Sequence, residues 1–168
     1  MIQLNSFASF NAGSDQYNWL KADLAAIDNV KTPWVIVQLH APWYNSNKQH
    51  TNDGQGMRAA MESMIDEAKV ALVFAGHVHA YERSVPSKNL SPAAGGPTYI
   101  TIGDGGNREG LYSKWISPQP SWSAFRDAEY GHGELTIVNS THAHWAWVRN
   151  ADAEPVAADT ATIINPNA

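Results

Sequence analysis

Cysteine is absent from all 168 residues, so there is no disulfide framework, and thiols give no reading of the redox compartment. Basic charge is also scarce. Eleven Lys and Arg face 16 Asp and Glu, for a formal net charge of -5, which gives no electrostatic reason to expect nucleic acid or an anionic membrane as partner. No apolar run approaches the roughly 20 residues needed to cross a bilayer. Met1 to Phe10 lacks the basic end and long apolar stretch of a signal peptide. What is present is a 43% hydrophobic, 16% charged composition, suited to one globular body with a sizeable core and unlike a disordered tail.

Along the chain, residues 4–10 read as a short strand. Ser14 or Asp15 caps a helix expected to run to about Asn29, with Tyr17, Leu20, Leu24 and Ile27 at helical spacing. Trp34–Leu39 has little alternation and reads as a strand buried on both faces, delivering His40 at its end. A second helix is expected over Gly54–Ala68, with Met57, Met61, Met64 and Ile65 on one stripe. Val70–Phe74 is the next buried strand, followed by Gly76-His77-Val78-His79. Two successive strand–loop–helix passages point to an α/β layer with loops gathered at strand ends. After residue 96 strands dominate, at Thr98–Ile102, Glu134–Val138, His144–Val148 and Thr160–Ile164. The expectation is one unit, 1–96 being its α/β part and 97–168 its mainly β part.

In an extended segment, residues i and i+2 project to the same side, so His77 and His79 can reach one locus. Gly76 is expected to provide a sharp turn and a close backbone approach. His40 holds the matching position on the neighbouring strand, and three imidazoles at adjacent strand ends make a set of transition-metal ligands. Spacing alone fits equally well with histidines that merely hydrogen-bond within their loops.

Longer motifs go further. Val37-Gln-Leu-His40-Ala-Pro-Trp-Tyr44, Phe74-Ala-Gly-His-Val-His-Ala-Tyr-Glu-Arg83, Gly131-His-Gly133 and Asn139-Ser-Thr-His-Ala-His144 resemble the purple acid phosphatases of the calcineurin-like metallophosphoesterase superfamily. Tyr99–Asn107, Pro118-Gln-Pro120 and Ser123-Ala-Phe-Arg126 match in the same order. The resemblance implies a metallophosphoesterase β-sandwich flanked by helices and truncated on its N-terminal side. It implies hydrolysis of small-molecule or protein phosphate monoesters at a binuclear centre of Fe(3+) and a divalent ion (zinc, manganese or iron). His40 and His77 would bind the divalent ion and His79 the ferric ion. His50 would bind phosphate or protonate the leaving group, with Gln49 beside it, where some relatives carry a second histidine. A glutamine hydrogen-bonds phosphate but is no acid.

The family's upstream Gly-Asp, Gly-Asp-x-x-Tyr and Gly-Asn-His-Glu motifs do not precede His40. The expectation is therefore a portion of a longer phosphatase, holding at most one metal, inactive alone, and loosely packed because residues 34–39 expose a sheet edge. The alternative is a non-catalytic fragment that binds a single metal or a protein partner. The family implies a secreted or vacuolar/lysosomal setting, in which the sequons at Asn139 and, more weakly, Asn89 would accept glycans.

Other residues receive structural readings. Trp145 and Trp147 share one face of a strand. His142 and His144 form a further His-x-His pair, assigned to packing or hydrogen bonding, and His132 receives no catalytic role. Tyr81, Glu82 and Arg83 brace the histidine loop, and Asp53 and Arg58 cap and decorate the second helix.

Overall fold

The structure is a computed structural model describing residues 1–168. In chain order its elements are β1 (Ile2–Gln3), α1 (Asp15–Ala25), β2 (Ile36–Leu39), α2 (Gln55–Glu67), β3 (Leu72–Ala75), β4 (Tyr81–Ser84), the short strands β5 (Ser87–Lys88) and β6 (Ser91–Pro92), β7 (Thr98–Ile102), β8 (Ser123–Asp127), β9 (Gly131–Ile137), β10 (His142–Arg149) and β11 (Ala157–Ile164). One sheet of six strands has the order β1-β2-β3-β7-β4-β8; a second has β11-β10-β9. Strands β1, β2, β3 and β7 run parallel, and β4 and β8 complete the sheet antiparallel. This mixed-sheet sandwich with few helices fits the expected fold class.

Alternation along the central strands builds two cores. Val37, Val73 and Tyr99 point toward the helices and pack with Leu20, Leu24, Met57, Met61 and Ile65. Ile36, Leu72 and Ile100 point the other way, against Ala143, Trp145, Trp147 and Ile163 of the second sheet. Helices, large sheet and small sheet therefore form three layers. Burying one such aliphatic side chain is worth about 1.5–3 kcal/mol.

Both helices begin where the sequence says and differ in how they end. Ser14 caps α1 by accepting from the Tyr17 N–H. The helix stops at Ala25, short of the expected Asn29, because the Asp28 carboxylate captures the N–H groups of Val30 and Lys31 in a turn of its own. α2 falls within one residue of expectation at each end. Gly54 precedes it, and a Cβ there would lie 2.1 Å from the Pro42 carbonyl oxygen. Met57, Met61 and Ile65 are buried on the expected stripe.

Three expectations require correction. Residues 4–10 form turns, and the strand is Ile2–Gln3, paired in parallel with Val37 and Gln38. That pairing, extended by the Leu4 N–H to the Gln38 carbonyl at 2.8 Å, covers the side of β2 expected to be an open edge. Strands β4 and β8 carry too many polar residues for their apolar pattern to announce them. They hold because their polar groups find partners: Arg83 binds Asp159 through two nitrogens, and the Tyr81 hydroxyl donates to the same carboxylate at 2.6 Å. Tyr81 stacks on Trp147 with ring centroids 4.3 Å apart and accepts from Trp145 Nε1, which locks the two sheets together. Trp145 and Trp147 do share a buried face. Tyr81 and Arg83 thus brace the sandwich rather than the histidine loop.

Candidate metal centre

β2 and β3 lie side by side in parallel register, Leu39 opposite Ala75, so the residues that follow them emerge at the same sheet end. The Gly76 N–H donates to the His40 carbonyl at 3.1 Å and draws the two exits together. As a result His40 Nε2 faces His77 Nδ1 at 3.0 Å. The sharp turn belongs to His77 itself, which has a φ of 63°, whereas Gly76 does not adopt a positive φ. A non-glycine residue held in the left-handed region is strained, and such strain clusters at functional sites. The glycine that matters is Gly103 at the end of β7. A Cβ there would lie 2.2 Å from the Val78 carbonyl oxygen, so β7 supports the histidine loop only through a residue without a side chain.

Asp53 joins the cluster. Its Oδ2 lies 2.9 Å from both His77 Nε2 and His50 Nδ1. A carboxylate only accepts, so each of these ring nitrogens carries the proton, and His77 Nδ1 is left as a bare lone pair facing His40. These hydrogen bonds, first His77 and then His50, hold the Asp53 carboxyl below the ordinary aspartate range. His50 also adopts a positive φ, 55°. Burial, then the neighbouring histidines, pushes the His40 imidazole toward its neutral form. Asp53, read from sequence as a cap of the second helix, instead bridges His50 and His77.

His79 stands outside the group of His50, Asp53 and His77, whose ligand atoms all lie within 4.8 Å of one another. Its Nδ1 donates to the Gly110 carbonyl at 3.1 Å, its Nε2 lies 3.9 Å from Glu109 Oε2, and its ring stacks on Tyr112. Gln49 is exposed at the tip of the loop before His50, with no hydrogen bond to its side chain. Asn89 sits in the turn between β5 and β6, and Asn139 in the turn after β9; both are exposed. An open cleft of about 720 Å³ adjoins the centre through His40 and Gly76, with Gln38, Phe74 and Ile102 along its floor.

Comparison with known proteins adds to this geometry. Residues 2–81 match the model of the calcineurin-like phosphoesterases, and residues 96–159 that of the iron/zinc purple acid phosphatase-like protein C. Purple acid phosphatase 18 of Arabidopsis thaliana is 54% identical over 94% of this chain and 36% of its own length. The chain belongs to the purple acid phosphatase family. The Fe(3+)-Zn(2+) purple acid phosphatase 12 of the same plant is 43% identical over 98% of the chain and 38% of its own length. A purple acid phosphatase from yellow lupin (Lupinus luteus) seeds shares the fold, with a TM-score of 0.85 at 24% identity over 96% of this chain and 30% of that one. The chain thus spans little more than a third of the curated relatives it matches.

In this member of the purple acid phosphatases, a buried carboxylate organises the loop that carries His50. Glu82 accepts from the Ser46 N–H, from the Ser46 hydroxyl and from the Ser123 hydroxyl. Burial raises its pKa against these donors. Buried Asn47 gives its side-chain N–H to the Tyr112 carbonyl, at 2.5 Å, and the Tyr112 N–H returns to the His79 carbonyl at 2.9 Å. The segment around Tyr112 therefore links the His50 loop to the His79 loop. Sequence reasoning did not find Ser46, Asn47 or Tyr112, whose roles come only from partners distant in the chain.

Proposed function

We propose that this chain carries one side of the catalytic centre of an acid phosphatase acting on small-molecule or protein phosphate monoesters. In this reading His40 and His77 hold a divalent ion (zinc, manganese or iron), and His79 holds Fe(3+). The observation that supports it is the meeting of His40 Nε2 and His77 Nδ1 at 3.0 Å, with Asp53 keeping the proton on the far nitrogen of His77. Once an ion displaces the proton that His40 Nε2 gives to His77 Nδ1, two nitrogens at that separation can both lie about 2.0–2.1 Å from one zinc-like ion. A carboxylate behind the ligating ring is the usual outer partner of a metal-bound histidine. The Gly110 carbonyl plays the same part for His79 and leaves its Nε2 as the ligand atom.

Bound ions supply Lewis acidity toward the phosphoryl oxygens and lower the pKa of a coordinated water. The chain's own residues do the rest. Gln49 donates an amide N–H to a phosphate oxygen without taking part in proton transfer. His50, with Nδ1 fixed on Asp53, presents Nε2 to carry a proton to the departing alkoxide. Glu82 and Ser46 keep that loop in place. The isolated chain is proposed to retain at most one ion and to be inactive, the remaining ligands of the binuclear centre lying outside it. A secreted or vacuolar/lysosomal setting, with Asn139 and more weakly Asn89 as glycan acceptors, belongs to the same proposal.

A second reading has one observation in its favour: His50, Asp53 and His77 alone offer three ligand atoms within 4.8 Å, enough for a single-metal binding fragment without catalysis. The deciding experiment is phosphate release from an aryl phosphate by the complete protein containing this chain. Metal-dependent release, abolished by His77→Ala, is expected. Undiminished turnover and full metal content in His77→Ala would overturn the assignment, and a metal-loaded protein that releases no phosphate would favour the second reading.

A further inference from the structure

A second cleft lies at the end of the large sheet away from the metal centre. β7 runs parallel to β3, so Ile102 at its end borders the cleft beside His40. Thr98 at its start is four residues back, about 13 Å away at 3.3 Å per residue. The second cleft opens there, between the two sheets, with a volume of about 340 Å³, within the range of small-molecule sites. Arg83 is the one charged side chain in its lining.

The polar groups of this cleft are unevenly committed. Thr98, Ile100 and Ile102 share one face of β7, and the two isoleucines pack against the small sheet, so the Thr98 side chain enters the space between the sheets. Thr98 is 3% exposed, yet its hydroxyl has no hydrogen-bond partner. The unpaired side-chain atoms sealed off completely are Trp43 Nε1 and Asp104 Oδ1; the Thr98 hydroxyl is instead open to the cleft. The Arg83 side chain is 14% exposed and grips Asp159 through Nε and Nη2, which leaves both hydrogens of Nη1 unused. Arg83 stands opposite Ile100, so Thr98 is its diagonal neighbour on the same face, within reach of a long side chain. The acceptors nearby are engaged. Both Asp159 oxygens are bound by Arg83 and Tyr81, and Asn165 Oδ1 accepts from Asn167. The cleft thus offers donors that lack an acceptor, beside apolar walls of Pro86, Ile163 and Pro166.

We propose that this inter-sheet cleft is a binding site for a small monocarboxylate with an apolar body. The carboxylate accepts from Arg83 Nη1 and the Thr98 hydroxyl, and the apolar body lies against Pro86, Ile163 and Pro166. Asp159 already offsets the guanidinium charge, and the walls are partly hydrocarbon, so a strongly hydrated dianion such as phosphate is disfavoured. The site shares no residue with the centre at His40 and His77, so its fate is independent of the phosphatase reading.

The test is titration of the metal-free 168-residue chain with benzoate, followed in ¹H–¹⁵N spectra. Benzoate is expected to shift the amides of Gly95, Gly96 and Thr98 and the Arg83 Nε–H, and to saturate. Benzamide keeps the ring and loses the charge, and is expected to bind at least about tenfold more weakly. Thr98→Val is expected to weaken benzoate about tenfold, the effect of one lost hydrogen bond to a charged group. Ala161→Leu leaves every polar group in place and fills the cleft, so it is expected to abolish the shifts. The same spectra show whether each variant keeps its fold, and the comparison of benzoate with benzamide needs no variant. Absence of a saturable shift at these groups overturns the proposal. So do shifts confined to the surroundings of His40 and His77, equal affinity for benzamide, or binding that ignores both Thr98→Val and Ala161→Leu.

Discussion

Glu82 holds Ser46 by its main-chain N–H, at 2.8 Å, and by its hydroxyl. The contact joins β4, which leaves the histidine loop, to the loop that carries Gln49 and His50, and Glu82 is 3% exposed. A buried donor stripped of its acceptor costs about 1–3 kcal/mol. Glu82→Gln keeps the shape but turns an amide toward the donors of Ser46, so a loss in that range is expected. Glu82→Ala strips three donors and opens a cavity, and is expected to lose more. Combined with Ser46→Ala, the two losses are expected to be non-additive by about 0.5–3 kcal/mol in denaturant melts. Additive effects would mean that the contact does not couple the two elements.

Two glycines of the histidine region are expected to differ sharply. A methyl at Gly76 meets no atom within 4 Å, and its backbone is in an ordinary conformation. A methyl at Gly103 lies 2.2 Å from the Val78 carbonyl oxygen and 2.9 Å from its carbon, both backbone atoms that cannot swing aside. Gly103→Ala is therefore expected to destabilise by about 1–3 kcal/mol and to weaken zinc binding by displacing the loop. Gly76→Ala is expected to change stability by less than about 1 kcal/mol. Thermal melts with and without zinc read both quantities, and equal effects at the two positions would contradict the geometry.

What could be read in the sequence follows from where each signal resides. β7 is legible to the residue because Thr-Tyr-Ile-Thr-Ile is wholly β-branched or aromatic and bounded by Pro97 and Gly103. α2 is legible from its apolar stripe. β4 is not, since Glu82 and Arg83 are tolerated inside only through Ser46, Ser123 and Asp159, which lie 36 or more residues away. In the centre, strand ends announced His40 and His77. The turn came from the wrong residue, since glycine is the default for left-handed backbone and here a histidine takes it. Asp53 was hidden in a polar stretch without periodicity, where only the three-dimensional return of the chain toward His77 gives it a role.

Asp104 makes the stability pH-dependent in a definite direction. It is fully buried, Oδ2 accepts from Trp147 Nε1 at 2.7 Å, and Oδ1 has no partner. Burial raises its pKa above the ordinary 3.8, a rise opposed by the Trp147 hydrogen bond and by His132, and aided by Asp127. The folded state thus binds the proton more tightly than the unfolded state. Its stabilising contribution is complete below the unfolded value and is lost as pH rises through the folded one. Asp104→Asn keeps an acceptor for Trp147 and removes the titration. Stability of the wild type relative to this variant is expected to fall from pH 4 upward. Glu82 titrates with the same sign in both proteins and cancels in the difference. A flat or rising difference would refute the assignment.

At His77 stability and metal binding are expected to part. The residue contributes Nδ1 to the cluster while its backbone sits at φ 63°, where an L side chain costs roughly 1–2 kcal/mol relative to glycine. His77→Ala and His77→Gly both remove the ring, its bond to Asp53 and its contact with His40, so they differ only in that backbone term. The metal-free glycine variant is expected to be more stable than the alanine variant by about 1 kcal/mol, and both are expected to lose zinc binding measured by calorimetry. Chelating the metal would then lower the melting temperature of the wild type but leave both variants unmoved, because only a ligand bound to the folded state contributes stability. Equal stability of the two variants would show that the strain at this turn is taken up elsewhere. Zinc binding retained in either would remove His77 from the ligand set.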